Sequence, residues 1–191
     1  MDTHLLNELK HISNSMFNKN YFSVFHGSIS AKVTLDSFII NKKESILDEV
    51  NEDDFLELKC NKEKDYRWKD ASVDVNIHQA IYSNLLNAKY ISYTMPPYAT
   101  AYSLNHDIVI AKDYYGETLL DTVHIYDPKD FKDWESRAAD EIRHYLKNNS
   151  THLLLIKGYG LISYDRDLTE MVKKVAILEN SCRLLIINSL N

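Results

Sequence analysis

Glycine and proline are scarce in this chain, four and three of 191 residues. No Ser/Gly-rich or Pro-rich run marks a linker, so the sequence reads as a single domain over residues 1–191. No apolar stretch approaches the roughly 20 residues that cross a bilayer as a helix, and no membrane partner is expected. The first residues, Met1 to Lys10, are polar and amphipathic. They lack the charged and apolar regions of a secretory signal, so the expected location is cytoplasmic. Cysteine occurs only as Cys60 and Cys182, far apart and without metal-type spacing, which reads as two reduced, structural thiols. No G-x-S-x-G elbow, P-loop, paired-Cys zinc site or dinucleotide glycine motif is present. Basic residues are outnumbered 22 to 28, for a net charge of -6, and the two signs are interspersed. That excludes a general nucleic-acid partner, because phosphate-backbone binding needs clustered Lys and Arg.

What is present is an ordinary globular composition, 45% apolar and 26% charged, enough for a substantial core. Leu5, Leu6, Leu9, Ile12 and Met16 recur at spacings of three and four, predicting a helix over 2–18. Short β-branched and aromatic segments then predict strands at 21–24, 29–33 and 37–40, a polar helix or turn over 42–53, and a strand at 55–59. Val73, Ile77, Ala80, Ile81 and Leu85 predict a helix capped by Ser72 or Asp74. Strands are expected at 90–95, 123–126, 152–157 and 161–164. Helices are expected over 131–146 and 168–186, the second capped by Asp165 or Asp167. Helices interleaved with strands imply a sheet covered on both faces, an α/β fold. The 13 tyrosines suit large subunit contacts, though a biased base composition would raise the same residue.

Four separated segments, spread over roughly residues 5–185, carry a resemblance. Tyr90 to Met95 is an apolar strand ending in Tyr93-Thr94-Met95, followed by Pro97-Tyr98-Ala99-Thr100-Ala101. It resembles the class II aldolase/adducin family, which has H-T-H at the strand end and the same helix start after it. Gly27-Ser28-Ile29-Ser30 is similar to the family's S-G-N strand pair. Ile39-Ile40-Asn41-Lys42-Lys43 stands where the family has a strand and a T-P-x-G turn. Ser72-Val73-Asp74 with His78 is similar to its S-S-E-x-x-x-H, and Lys157-Gly158-Tyr159-Gly160 to its N-H-G.

The resemblance implies a three-layer α/β/α domain with a central mixed sheet, and a homotetramer. In the family, three histidines hold a divalent metal such as zinc, which polarises the carbonyl of a sugar phosphate and stabilises an enediolate. Here those three positions carry Tyr93, Met95 and Tyr159, poor ligands at neutral pH, so no metal and no other cofactor is expected. Asp74 stands in for the family's catalytic Glu with one methylene less, and is the candidate acid/base; charging the first turn of a helix explains it equally. Gly27, Ser28, Lys42, Lys43 and Ser72 stand at positions of the family's anion cradle, with Ser28 in place of its Asn and Lys42 and Lys43 in place of its hydroxyl and glycine. A tight turn at Gly27 and a solvated loop at the lysines are the plainer readings. His78 reads as a packed structural histidine. His106, Asp107 and Asp113 are weaker candidates for the same cleft. The resulting expectation is a non-catalytic binding or structural homologue, with a small anionic or sugar-phosphate ligand possible. The alternative is an aldolase-type lyase in the same cleft, metal-independent or using other ligands.

Overall fold

The computed structural model describes residues 3–24, 26–60 and 64–190. Asp2, the expected first residue of the opening helix, and Phe25, just before the Gly27-Ser28 segment, lie outside the described residues. Helix α1, Thr3–Asn18, buries Leu5, Leu6, Leu9 and Met16 on one stripe. It closes through Asn20, held at φ 61°, while the Tyr21 N–H donates to Met16 C=O. Asparagine tolerates that left-handed geometry better than most residues.

The expected strand at 21–24 does not form. Tyr21 and Phe22 are buried, but the backbone bends, with the Ser23 N–H donating to His26 C=O and Tyr21 C=O accepting from the Met95 N–H. These aromatic residues act as plugs between elements, and packing overrides their β propensity.

The strands are β1 Ser28–Lys32, β2 Ser37–Asn41, β3 Phe55–Lys59, β4 Tyr90–Thr94, β5 Ile108–Val109, β6 Val123–Tyr126, β7 Leu153–Ile156 and β8 Gly160–Asp165. The remaining helices are α2 Val75–Asn84, α3 Pro97–Ser103, α4 Tyr114–Leu119, α5 Trp134–Asn148 and α6 Leu168–Ser189. Residues 42–51 form turns and irregular backbone leading to a 3-10 turn at Glu52–Asp54. The sequence gives no sign of β5 or α4, which are too short to show a period.

One eight-stranded sheet runs in the order β3-β2-β1-β4-β8-β7-β6-β5. Its one parallel pairing is β6 with β7; the others are antiparallel. Strand alternation sends Ile39, Leu153, Leu155 and Leu161 into a core with α1, α3 and α6. Phe38, Ile40, Leu154, Ile156 and Ile162 enter a second core with α2 and α5. The fold is therefore the expected three-layer α/β/α arrangement around a mixed sheet. Among the described residues no helix is long and apolar enough to cross a membrane. Cys60 and Cys182 are buried and unpaired, and burial, with Glu179 nearby, pushes the Cys182 thiol up to about 12.

Two contacts fix the segments around the site. The Tyr98 and Ala99 N–H groups at the start of α3 donate to the Glu179 carboxylate of α6, at 3.0 and 2.7 Å. Arg137 of α5 donates to Asp133, to Glu141 and to the carbonyls of Pro128 and Asp130. That side chain holds the turn from which Trp134 enters the second core.

At the far end of the sheet Asp165 accepts from Lys174 Nζ at 2.6 Å and lies 3.2 Å from His152 Nδ1. Burial works to raise its pKa, but the bonds from Lys174, His152 and the Asp167 N–H outweigh that and hold it at about 2. A folded-state value below the unfolded value of about 3.9 means the contribution is complete above that value and is lost as pH falls toward 2. Asp165→Asn should therefore melt several degrees lower than the parent at pH 7. The gap should shrink as pH falls from 5 to 2 in thermal unfolding followed by circular dichroism. A gap independent of pH would show that the ionised carboxylate contributes nothing.

Candidate functional site

The strand pairings gather the motif residues at one end of the sheet. Ser28 faces Tyr93 across β1 and β4, and Thr94 faces Leu161 across β4 and β8. Lys42 bridges to Ala71, and the Ser72 N–H donates to Asn41 C=O. Asp74 occupies the residue before α2 but makes no capping bond with its side chain. Its carboxyl group turns inward instead and is 5% exposed. Ser28 Oγ donates to Oδ2 at 3.2 Å, Ser72 Oγ to the same oxygen at 3.5 Å, and Tyr159 Oη to Oδ1 at 3.1 Å. Burial raises the Asp74 pKa, and these three donors only partly offset it.

The network continues inward. Ser28 Oγ lies 2.9 Å from His78 Nε2, Ser30 Oγ 2.6 Å from His78 Nδ1, and Ser30 Oγ 2.8 Å from Tyr82 Oη. His78 is fully buried, and burial pushes its pKa down to about 3, so it is neutral at physiological pH. It is the satisfied structural histidine that the sequence suggests. The set also differs from a hydrolytic triad: the serine sits between carboxylate and imidazole, and His78 touches serines rather than Asp74.

Above Asp74 the space is filled by rings. Tyr93 and Tyr159 stack at 4.8 Å and 26°, and Trp134 meets Tyr159 edge-on at 5.6 Å. Tyr93 Oη donates to Tyr159 C=O at 2.7 Å. The glycines flanking Tyr159 both have positive φ, 67° at Gly158 and 134° at Gly160. A Cβ on Gly160 would lie 2.5 Å from Thr94 O, 2.9 Å from Tyr93 Cε2 and 3.1 Å from Met95 Cγ. Gly160 is what lets the tyrosine turn seat against β4.

Burial, and then the charge of Asp74, pushes both phenols well above their ordinary range. The donor set does not fit a divalent ion: two neutral phenols, each already donating its proton, and one thioether. Among the described residues no three His, Cys, Asp or Glu are grouped to hold a metal.

The other candidates divide. Gly27 has φ 129°, and a Cβ there would strike the Phe22 ring at 2.4 Å, so the turn accounts for it. Ser28 and Ser72 lie beside each other, with both hydroxyls directed to Asp74. Lys42 is half-buried and Lys43 exposed, and neither forms an ion pair among the described residues. His106 stacks on Tyr102 at 3.8 Å, Asp107 pairs with Lys157 at 2.7 Å, and Asp113 caps α4. Those three do not converge on Asp74. Ser30, Tyr82 and Trp134 are members that the motifs do not reveal. Two of them had a signal: Ser28 and Ser30 share one face of a strand, and His78 and Tyr82 one face of a helix.

The sequence model described as Class II Aldolase and Adducin N-terminal domain matches residues 7–186. The chain belongs to the class II aldolase and adducin family. Among solved structures it is similar to L-fuculose-1-phosphate aldolase from Thermus thermophilus, with a TM-score of 0.86 at 21% identity, covering 97% of this chain and 94% of that one. YgbL from Escherichia coli, a putative aldolase/epimerase/decarboxylase, follows with a TM-score of 0.77 at 18% identity, covering 96% and 89%. A sugar-phosphate aldolase from Thermotoga maritima gives 0.73 at 14%, covering 98% and 96%. No curated protein matches the chain. At these identities the solved structures establish the fold of this family member, and the site has to speak for its chemistry.

A buried acid with a raised pKa makes the folded state lose stability as pH climbs from the unfolded value toward the folded one. Asp74→Asn removes that loss and keeps an oxygen to accept from Tyr159. Its melting temperature should rise relative to the parent between about pH 4 and pH 8, with the two curves converging at lower pH. A variant that melts lower than the parent throughout would mean that the ionised form is the stabilising one.

Proposed function

We propose that this chain is a non-catalytic member of its family, a cytoplasmic binding or structural protein of one domain whose former metal centre has become packed core. The observation that carries this reading is the Tyr159 side chain, whose hydroxyl occupies Asp74 while its ring stacks on Tyr93. A metal-independent lyase would need an acid/base that reaches substrate. Asp74 is buried and fully engaged, which favours the non-catalytic reading.

Zinc or manganese should leave the melting temperature unchanged, and elemental analysis should find well under one metal per chain. Cleavage of fuculose-type phosphates should be undetectable with or without added zinc. Without charge stabilisation at the enediolate the barrier rises by several kcal/mol, about a thousandfold or more in rate. The triple variant Tyr93→His, Met95→His, Tyr159→His should gain zinc binding. Turnover by the parent at about one per second or faster would refute the reading.

Any phosphate that binds would do so beside Gly27, Ser28, Lys42, Lys43 and Ser72, with the lysines as point charges. Replacing both lysines by Ala should then weaken phosphate-dependent thermal stabilisation. An unchanged shift would leave them a solvated loop.

The assembly proposed is a homotetramer. Ile110, Tyr114, Tyr115 and Leu119 around α4, with Leu184, Ile187 and Leu190 at the end of α6, expose apolar side chains on adjoining elements. Such a patch is characteristic of an interaction surface. Light scattering coupled to size exclusion should give a mass near four times 22.3 kDa, and a monomer at micromolar concentration would rule the assembly out.

A further inference from the structure

At the end of the sheet opposite Asp74, a cavity of about 340 Å³ opens among the starts of β6 and β7, the last turn of α5, and α6. The topology explains the opening. β6 and β7 run parallel, so their first residues lie side by side with no hairpin to close the gap. The size falls within the range of small-molecule sites.

The wall holds polar groups the fold does not use. Asp121, Thr122, Tyr145 and Ser150 line the cavity, and among the described residues none of their side-chain oxygens makes a hydrogen bond. Lys174 on the wall is satisfied internally, with its Nζ 2.6 Å from Asp165. Of the uncommitted groups Asp121 carries a negative charge, while the exposed His124 imidazole on the same wall adds a further donor or acceptor, so the lining suits a neutral polar ligand better than one of either net charge. A carboxylate that accepts, beside three hydroxyls that both donate and accept, matches a ligand rich in hydroxyl groups.

Ser150 adds an independent observation. It is held at φ 50°, with its N–H donating to Lys147 C=O and the Thr151 N–H to Leu146 C=O. That is the helix-ending motif in which glycine is the usual residue at this position. A side chain here strains the backbone, and the side chain present puts a hydroxyl on the cavity wall.

We propose that this cavity binds a neutral, polyhydroxylated small molecule of monosaccharide size, held by Asp121, Tyr145 and Ser150. The site shares no residue with the Asp74 cluster and stands or falls separately from the function proposed there.

The test uses the full chain, with saturation-transfer NMR and calorimetric titration of D-glucose, D-fructose and myo-inositol, against glucose 6-phosphate and putrescine. At least one neutral compound should bind at millimolar concentration and more tightly than the phosphate or the diamine. Ser150→Gly should melt no lower than the parent, because the backbone strain is relieved, yet weaken binding about two- to tenfold through the lost hydrogen bond. Tyr145→Phe should weaken it similarly. Absence of binding by all three neutral compounds, tighter binding of the phosphate or the diamine, or affinities unchanged in both variants would each overturn the proposal. A destabilised Ser150→Gly would overturn the strain argument on which it rests.

Discussion

A carboxyl group sealed inside a protein is tolerable only where its oxygens are hydrogen-bonded, and the site end of this sheet is organised around that requirement at Asp74. Three donors meet it, from three separate stretches of chain: Ser28 at the start of β1, Ser72 before α2, and Tyr159 in the turn between β7 and β8. Two of the donors are fixed in turn. Ser28 is held by His78, and Tyr159 by its stack on Tyr93 and by two glycines whose backbones accept the turn. Removing one member would leave another buried polar group unpaired, so the cluster behaves as a unit rather than as a sum of contacts.

On the proposed reading, in which Tyr93, Met95 and Tyr159 replace metal-binding histidines, the three residues form a coherent set. Tyr159 supplies a donor where a metal would have supplied charge. Tyr93 closes the assembly by donating to the Tyr159 carbonyl, and Met95 packs where Gly160 allows close approach. On the reading proposed above, a single replaced ligand would leave a cavity or an uncompensated charge, whereas the three residues together fill the space. The shorter Asp74 fits the same picture, because its reach suits hydroxyls already at 3.1 to 3.5 Å.

Much of the fold is legible in the sequence because its two cores are written in regular periods. Leu153 to Ile156 alternate between opposite cores, and α5 keeps Trp134, Ala138, Ile142 and Leu146 on one stripe. What fails to show is where tertiary packing overrides local preference. Tyr21 and Phe22 look like a strand but plug a gap, and β5 and α4 are too brief to display a pattern. At the site, the resemblance to the family's motifs implies a shared position for Asp74, Tyr93, Met95 and Tyr159, and the structure brings Asp74, Tyr93 and Tyr159 into contact. They give no hint of Trp134, which arrives from another layer, or of the inward course of the network through Ser30 and Tyr82. Nor could they place His106, Asp107 and Asp113: His106 stacks on the nearby Tyr102, while Asp107 meets Lys157 and Asp113 meets Ser181 only once distant segments are brought together.

The stability of such a domain does not depend on its chemistry. Both cores are apolar and lie along the whole sheet, so the site end can change without unfolding the rest. An open polar cleft is a place where a protein forgoes burial for function. Filling it with aromatic rings reverses that, since a buried tyrosine removes about 150–250 Å² from water, worth several kcal/mol at roughly 25 cal/mol per Å². The hydrogen bond from the Tyr159 hydroxyl offsets part of the remaining obstacle, the desolvated Asp74 carboxyl. The packed arrangement is thermodynamically favourable to hold, and opening this end of the sheet would require displacing two stacked rings and breaking the Tyr159–Asp74 bond together.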